Sequence, residues 1–253
     1  MVREWKGPRG RVQAAILGTV TEPTTAGTTP TPASLSSTLQ ADLSTMLRVE
    51  LRAELVLNDD LPRGAQDYDA TFVVDYYLDS GRNWAGDDRE MRALALSHGV
   101  MPDDEGCISL TIGRARLVTV DLGYPSAFDA LDARDSAASH LGQLLRSALP
   151  DLQAQFAPVG TRALLVEQIT VAPQFRGHQL SLTAVELLLR EFRHGGLCAI
   201  LDPTDPDATD DEVRAASRPG LTEHWSRVGF RPWGSEGILV YDFREPLPHD
   251  NPA

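Results

Sequence analysis

Cysteine is scarce in this chain: 253 residues contain two, Cys107 and Cys198. Neither has a neighbouring Cys or His at metal spacing, which excludes a disulfide scaffold and a Cys/His zinc site. Two isolated thiols in apolar surroundings read as buried groups in a reducing compartment, so the expected location is cytoplasmic. No run approaches the ~18 apolar residues of a membrane span, and no membrane role is expected. Positive charge is short as well: 23 Lys and Arg stand against 36 Asp and Glu, a net charge of −13. That balance repels nucleic acid and anionic lipid, and it favours a cationic partner such as an amine. A Walker loop, a G-x-S-x-G elbow and an H-E-x-x-H pair are all missing. Asp79 with Asp87 and Asp88 lacks the regular spacing of a calcium loop, so no metal site is expected. Nothing in the sequence specifies an oligomeric state.

What is present suffices for a sizeable core, with 42% hydrophobic and 23% charged residues. Length and composition fit one large domain, or one domain with a tail. Arg3, Lys6, Arg9 and Arg11 precede the apolar stretch Ala14 to Val20. It is short for a signal peptide and lacks a small-x-small cleavage site, so it is not read as one. Residues 21–38 are rich in Thr, Pro and Ser, a composition that cannot repay its ordering entropy. Residues 1–45 are therefore expected to be a flexible segment and linker, 46–246 a single domain, and 247–253 a tail.

Within the domain, residues 47–57 alternate apolar with charged, as a half-buried strand does. Residues 70–78 are rich in Val and aromatics and read as a second strand. A short helix over 87–98 ends at Gly99. Residues 107–122 alternate again and are expected to form two strands broken at Gly113. Ser126 and Pro150 bracket a helix over 126–149. Strands over 163–171, 197–201 and 237–243 alternate with helices over 180–194 and 211–228, the latter broken by Pro219-Gly220. Strands and helices in this order imply an α/β fold with a mixed sheet flanked by helices.

The most informative stretch is 162–181. A mostly apolar run ends at Val171-Ala172-Pro173, then Gln174-Phe175-Arg176-Gly177-His178 leads into an amphipathic helix from Leu180. Such a junction aims backbone N–H groups and the positive end of a helix dipole at one place, where a phosphate is favoured. VAPQFRGHQLS resembles the acyl-CoA motif of the GNAT N-acetyltransferase superfamily, whose loop reads R/Q-x-x-G-x-G/A. Arg176 matches the first position; Gln179 and Ser181 stand where glycine and a small residue are usual. Further on, His224-Trp225-Ser226-Arg227-Val228-Gly229-Phe230-Arg231-Pro232 is similar to the family's F-Y-E-x-L-G-F segment. The resemblance covers roughly residues 162–243.

The resemblance implies a GNAT-like, mostly antiparallel sheet and a protein that moves an acetyl group from acetyl-CoA to an amine. It implies that Arg176, Gly177, His178, Gln179, Leu180 and Ser181 hold the pyrophosphate, largely through backbone N–H groups. A backbone N–H near Ile169 and Val171 would stabilise the oxyanion. Glu167 is similar in placement to an acidic residue found on this strand in many members, and is the expected base. Alternation places it in an apolar row with Leu165, Ile169 and Val171, where a carboxylate accepts a proton more readily. The family often supplies its acid from a Tyr where this chain has Trp225, which has no proton to give. His224 and Tyr241 are the nearby substitutes. Residues 202–212 carry six acidic groups and no basic one, and are a candidate guide for a cationic amine. The competing reading is a GNAT-shaped, catalytically inactive acyl-CoA-binding or protein-interaction module, to which Gln179 and Trp225 both point.

Overall fold

A seven-stranded sheet organises the molecule. The computed structural model describes residues 35–54, 64–78, 85–134, 136–156, 161–205, 210–234 and 237–247, all within one compact unit. The chain runs α1 (Ser37–Thr45), β1 (Leu47–Glu54), β2 (Ala65–Tyr77), α2 (Ala85–Ser97) and β3 (Cys107–Asp121). It continues through α3 (Ala127–Asp132), α4 (Ser136–Phe156), β4 (Arg162–Val171), a 3₁₀ turn (Pro173–Phe175) and α5 (Leu180–Phe192). Last come β5 (Gly196–Leu201), α6 (Asp211–Ser226), β6 (Arg231–Trp233) and β7 (Ile238–Asp242). The strand order is β1-β2-β3-β4-β5-β7-β6. Every neighbouring pair is antiparallel except β4 and β5, which are joined through α5 as a parallel crossover.

Strand alternation gives the sheet two apolar faces. One face, with Phe72, Val74, Ile112, Leu164 and Leu239, packs with α1, α2, α5 and the end of α6. The other, with Val118, Val120, Leu165, Ile200 and Val240, is covered by α3 and α4.

The folded part begins earlier than composition suggests. Leu39 and Leu43 of α1 are fully buried, and the Ser36 hydroxyl accepts the Leu39 amide at 3.2 Å as an N-cap. A polar-rich window conceals two leucines four residues apart, which is all that a short helix needs to dock. Residues 1–34, with the basic and apolar N-terminal stretches and most of the Thr/Pro/Ser-rich run, lie outside the described residues. At the other end Leu247, the expected start of the tail, is buried.

Three expected breaks do not occur. β3 is one continuous strand with a bulge, since Phe72 pairs with Gly113 and Val73 with Thr111. Gly113 is needed there because a Cβ would lie 2.4 Å from the Thr170 carbonyl oxygen. α4 runs through Pro150, and α6 through Pro219. Both prolines are exposed, so water can take the carbonyls they leave unpaired. Ser126 makes no side-chain cap, and α3 and α4 are separate helices where one was expected.

Candidate functional site

β4 and β5 pair only from Arg162 opposite Gly196, through a one-residue shift before Ala163, to Val166 opposite Leu201. Beyond that β5 ends, while β4 continues beside β3 as far as Val171. The Ala172 amide bonds to Ile112 of β3 at 2.9 Å. By alternation the backbone groups of Ile169 and Val171 therefore point the other way, into the gap. A cleft of about 960 Å³ opens in this gap, at the upper end of the range for small-molecule sites. Its walls include Ile169 and Val171 of β4, Ser181 of α5, His224 and Trp225 of α6, and His140 of α4.

The loop from Arg176 to Ser181 forms one end of the cleft. Gly177 has φ +83° and Gln179 φ +59°. Gln179 is the one non-glycine residue with positive φ among the described residues, so the backbone takes a glycine-type conformation where the acyl-CoA motif usually has glycine. Gln179 is the N-cap of α5 but gives no side-chain cap. Its carbonyl accepts the Leu182 amide at 2.9 Å and the Thr183 amide at 3.4 Å. Among the described residues, the amides of Gly177, His178, Gln179, Leu180 and Ser181 have no hydrogen-bond partner. This is a run of donors at a helix N-terminus.

The side chains of this loop are mostly engaged in holding it. Arg176 Nε donates to the Val171 carbonyl at 3.0 Å. Gln40 of α1 donates through Nε2 to the His178 carbonyl at 2.9 Å, and its Oε1 lies 3.4 Å from His178 Nδ1. The Leu180 side chain is fully buried, which leaves its amide as the group available to a ligand. Ser181 Oγ is hydrogen-bonded to His224 Nε2 at 2.9 Å. Burial holds the His224 pKa below the ordinary histidine value, with the Arg227 charge adding to the effect. The ring is thus neutral at neutral pH and a poor acid; it positions Ser181.

Tyr241 is absent from the cleft. It is buried among Phe230 and Phe243, and its hydroxyl donates to the Glu245 carbonyl at 3.0 Å. The strand pattern alone cannot tell which face of β7 carries it; the structure puts it in the core. Trp225 lines the cleft with only 8% of its surface exposed.

Glu167 sits at the point where β4 loses step with β3. Leu117 pairs with Val166 and Arg116 with Gln168, so Glu167 is the extra residue of a bulge. The bulge breaks the alternation expected from the sequence. Glu167 shares a face with Leu165, whereas Ile169 and Val171 pack on the opposite face. Its side chain is 4% exposed, with Oε2 3.5 Å from Arg116 Nη2. Its surroundings therefore include a cation in place of the expected apolar row. Arg116 is the functional residue that sequence reasoning missed, because in β3 it is one charged position among several in an alternating run.

The acidic stretch after β5 is only partly in the cleft. Asp202 and Asp205 line it, residues 206–209 lie outside the described residues, and Asp210 caps α6 by accepting the Glu212 amide at 2.7 Å. Asp202 Oδ1 lies 3.0 Å from Arg218 Nη2, and Oδ2 lies 3.8 Å from His140 Nε2. The Arg218 contact is an ion pair whose angles do not make a hydrogen bond. With Arg218 beside it, Asp202 is already neutralised and is a poor guide for an amine.

Comparison with family models, with curated proteins and with solved structures returns no match. The reading of the site therefore rests on its geometry. Among the described residues, no group of three or more His, Cys, Asp or Glu side chains is placed to hold a metal, and no helix is long and apolar enough to cross a membrane.

Proposed function

We propose that the chain is a GNAT-type N-acetyltransferase that uses acetyl-CoA to acetylate an amine. The observation that carries this reading is the run of unpartnered amides from Gly177 to Ser181, at the N-terminus of α5 and at one end of the cleft. Those donors suit a pyrophosphate, and the volume of the cleft suits an extended cosubstrate. The parting of β4 from β5 after Val166 fits the same reading, since an extended pantetheine chain needs a strand edge to lie against.

Acetyl-CoA supplies the activated acyl group. Glu167 is the base: the amine nitrogen bonds to the thioester carbonyl carbon as the C–S bond breaks, and its proton passes to the carboxylate, directly or through a water. The backbone N–H groups of Ile169 and Val171 face the gap and are suited to hold the oxyanion. With His224 neutral, Tyr241 in the core and Trp225 unable to give a proton, the departing thiolate takes its proton from water.

The missing internal acid favours one alternative, an acyl-CoA-binding module without turnover. Calorimetric titration with acetyl-CoA, using ATP as the control ligand, tests the shared part of the two readings. Micromolar binding of acetyl-CoA alone supports the site; no binding overturns it. Release of free thiol when amines are added then separates the enzyme from the module.

A further inference from the structure

The two edges of the sheet are not alike. β6 closes one edge with three residues, one of them Pro232. A strand so short, with a proline in it, is a poor template for another chain. β1 closes the other edge with eight residues, Leu47–Glu54, none of them proline.

The outer side of β1 can be read from one bond. The Asp75 amide donates to the Met46 carbonyl at 3.4 Å, and these two residues stand opposite each other one step before Leu47 and Val74. Met46 therefore turns its backbone groups toward β2. By alternation Arg48, Glu50 and Arg52 do the same, while Leu47, Val49, Leu51 and Ala53 present theirs outward. Among the described residues no backbone group meets them from that side. The side chains of Val49 and Leu51 pack on the core. Those of Arg48, Glu50 and Arg52 share the opposite face and are exposed. Arg48 is ion-paired with Asp75 and Glu50, and Asp69 is the cross-strand neighbour of Arg52. All of these neighbours lie within β1 or on its inner side. An edge guarded against pairing carries charges that repel a second strand, commonly lysines. Along β1 the signs alternate instead.

We propose that β1 is a dimer edge, on which a second copy of this chain adds its own β1 antiparallel, about a two-fold axis at Leu51. The signs select this axis. With Leu51 on it, Leu51 meets Leu51 of the second copy, and Val49 of each copy meets Ala53 of the other. The outward amides and carbonyls of these residues then bond to one another. Glu50 of each copy stands opposite Arg52 of the other, a favourable cross-strand pair. The same register sets Glu54 opposite Arg48. An axis at Glu50 would set Glu50 on Glu50 and Arg48 on Arg52; an axis at Arg52 would set Arg52 on Arg52. Both oppose like charges. A strand complementary to itself fits the isologous contact of a two-fold dimer, which makes a second copy the occupant. One strand pair is a small interface, so the association is weak and depends on concentration. The proposal is independent of the acetyl-transfer reading.

Sedimentation equilibrium of the full chain at rising concentration tests it. The expected result is a reversible monomer–dimer equilibrium that salt weakens. Glu50→Arg and Arg52→Glu should each weaken the dimer about thirtyfold, since two cross-strand pairs turn from attraction to repulsion. Mixing the two variants should restore it, because Arg at 50 then faces Glu at 52 and Glu at 50 faces Arg at 52. Ala53→Pro removes an outward amide and leaves the bonds to β2 in place, so it should weaken the dimer as well. Thermal unfolding midpoints check that the variants fold. A chain that stays monomeric at every concentration overturns the proposal. So does a dimer that both charge variants leave unchanged, or a mixture of folded variants that does not associate. Should a charge variant fail to fold, Ala53→Pro decides: a weakened dimer supports the edge, and an unchanged one overturns it.

Discussion

Arg116 and Glu167 meet at 3.5 Å where strands β3 and β4 fall out of register by one residue. The two facts are connected. Without the bulge Glu167 would pair directly with Arg116; the bulge leaves it unpaired beside that guanidinium and sends Ile169 and Val171 to the opposite face. A nearly buried acid thus lines the cleft and keeps a charged neighbour.

Glu167→Gln keeps the shape and removes the proton acceptor. The expected loss in kcat/KM is ~100-fold, the lower end of what a positioned general base contributes. Acetyl-CoA affinity should be unchanged. A rate–pH profile identical to that of the natural chain would remove Glu167 from the mechanism.

Gln179→Gly should leave the loop in place and relieve its backbone. A left-handed conformation costs a side-chain-bearing residue ~1–2 kcal/mol, and glycine's extra freedom in the unfolded chain returns ~0.5–1 kcal/mol of that. The difference predicts a gain of about 0.5 kcal/mol in urea unfolding. Acetyl-CoA should bind more tightly as well, because glycine lets the pyrophosphate approach the backbone. Weaker binding would mean that the Gln179 side chain itself holds the ligand.

The depressed pKa of His224 gives stability a pH dependence of known sign. In the unfolded chain the ring protonates near its ordinary value of 6.5; in the folded protein it does so at lower pH. This contribution is therefore fully present above 6.5. It is lost as pH falls from there through the folded pKa. His224→Gln should flatten the unfolding midpoint over that window. A slope unaffected by the substitution would assign it to other groups.

Neither cysteine should react readily in the native protein. Both are buried, and burial, with Asp242 nearby, pushes the Cys198 thiol up to about 12. Few thiolates then exist at neutral pH. A colorimetric thiol reagent should label neither cysteine quickly in buffer and both in denaturant. Fast labelling of Cys198 in the folded state would contradict its burial.

Much of the fold is legible in the sequence, and its boundaries are less so. Leu47 to Glu54 announces itself by alternation, Arg162 to Val171 by its mostly apolar run, and α5 by the spacing of Leu182, Val185, Leu188 and Leu189. Pro150 and Pro219 mislead because a proline stops a helix only where the carbonyl it orphans has no other partner, and whether water can reach that carbonyl is a tertiary fact. The site divides in the same way. The loop from Arg176 to Ser181 is a local arrangement of backbone, so a local motif points to it. The separation of Ile169 and Val171 from the row of Glu167 depends on a slip between two strands, and a slip belongs to the pair and to neither sequence alone. Tyr241 is lost to the core for a similar reason: five residues of β7 do not reveal which of two buried faces each occupies.

Gln40 ties the first described helix to the turn that precedes α5, bridging 138 positions of chain with one side chain. A shortened version starting at β1, a natural choice from the motifs, would keep every motif residue and lose this fastening. It would also uncover the apolar surface under Leu39 and Leu43. Such a product would be judged inactive or insoluble for a reason located far from its motifs, and the remedy would be to begin the gene upstream of Ser36.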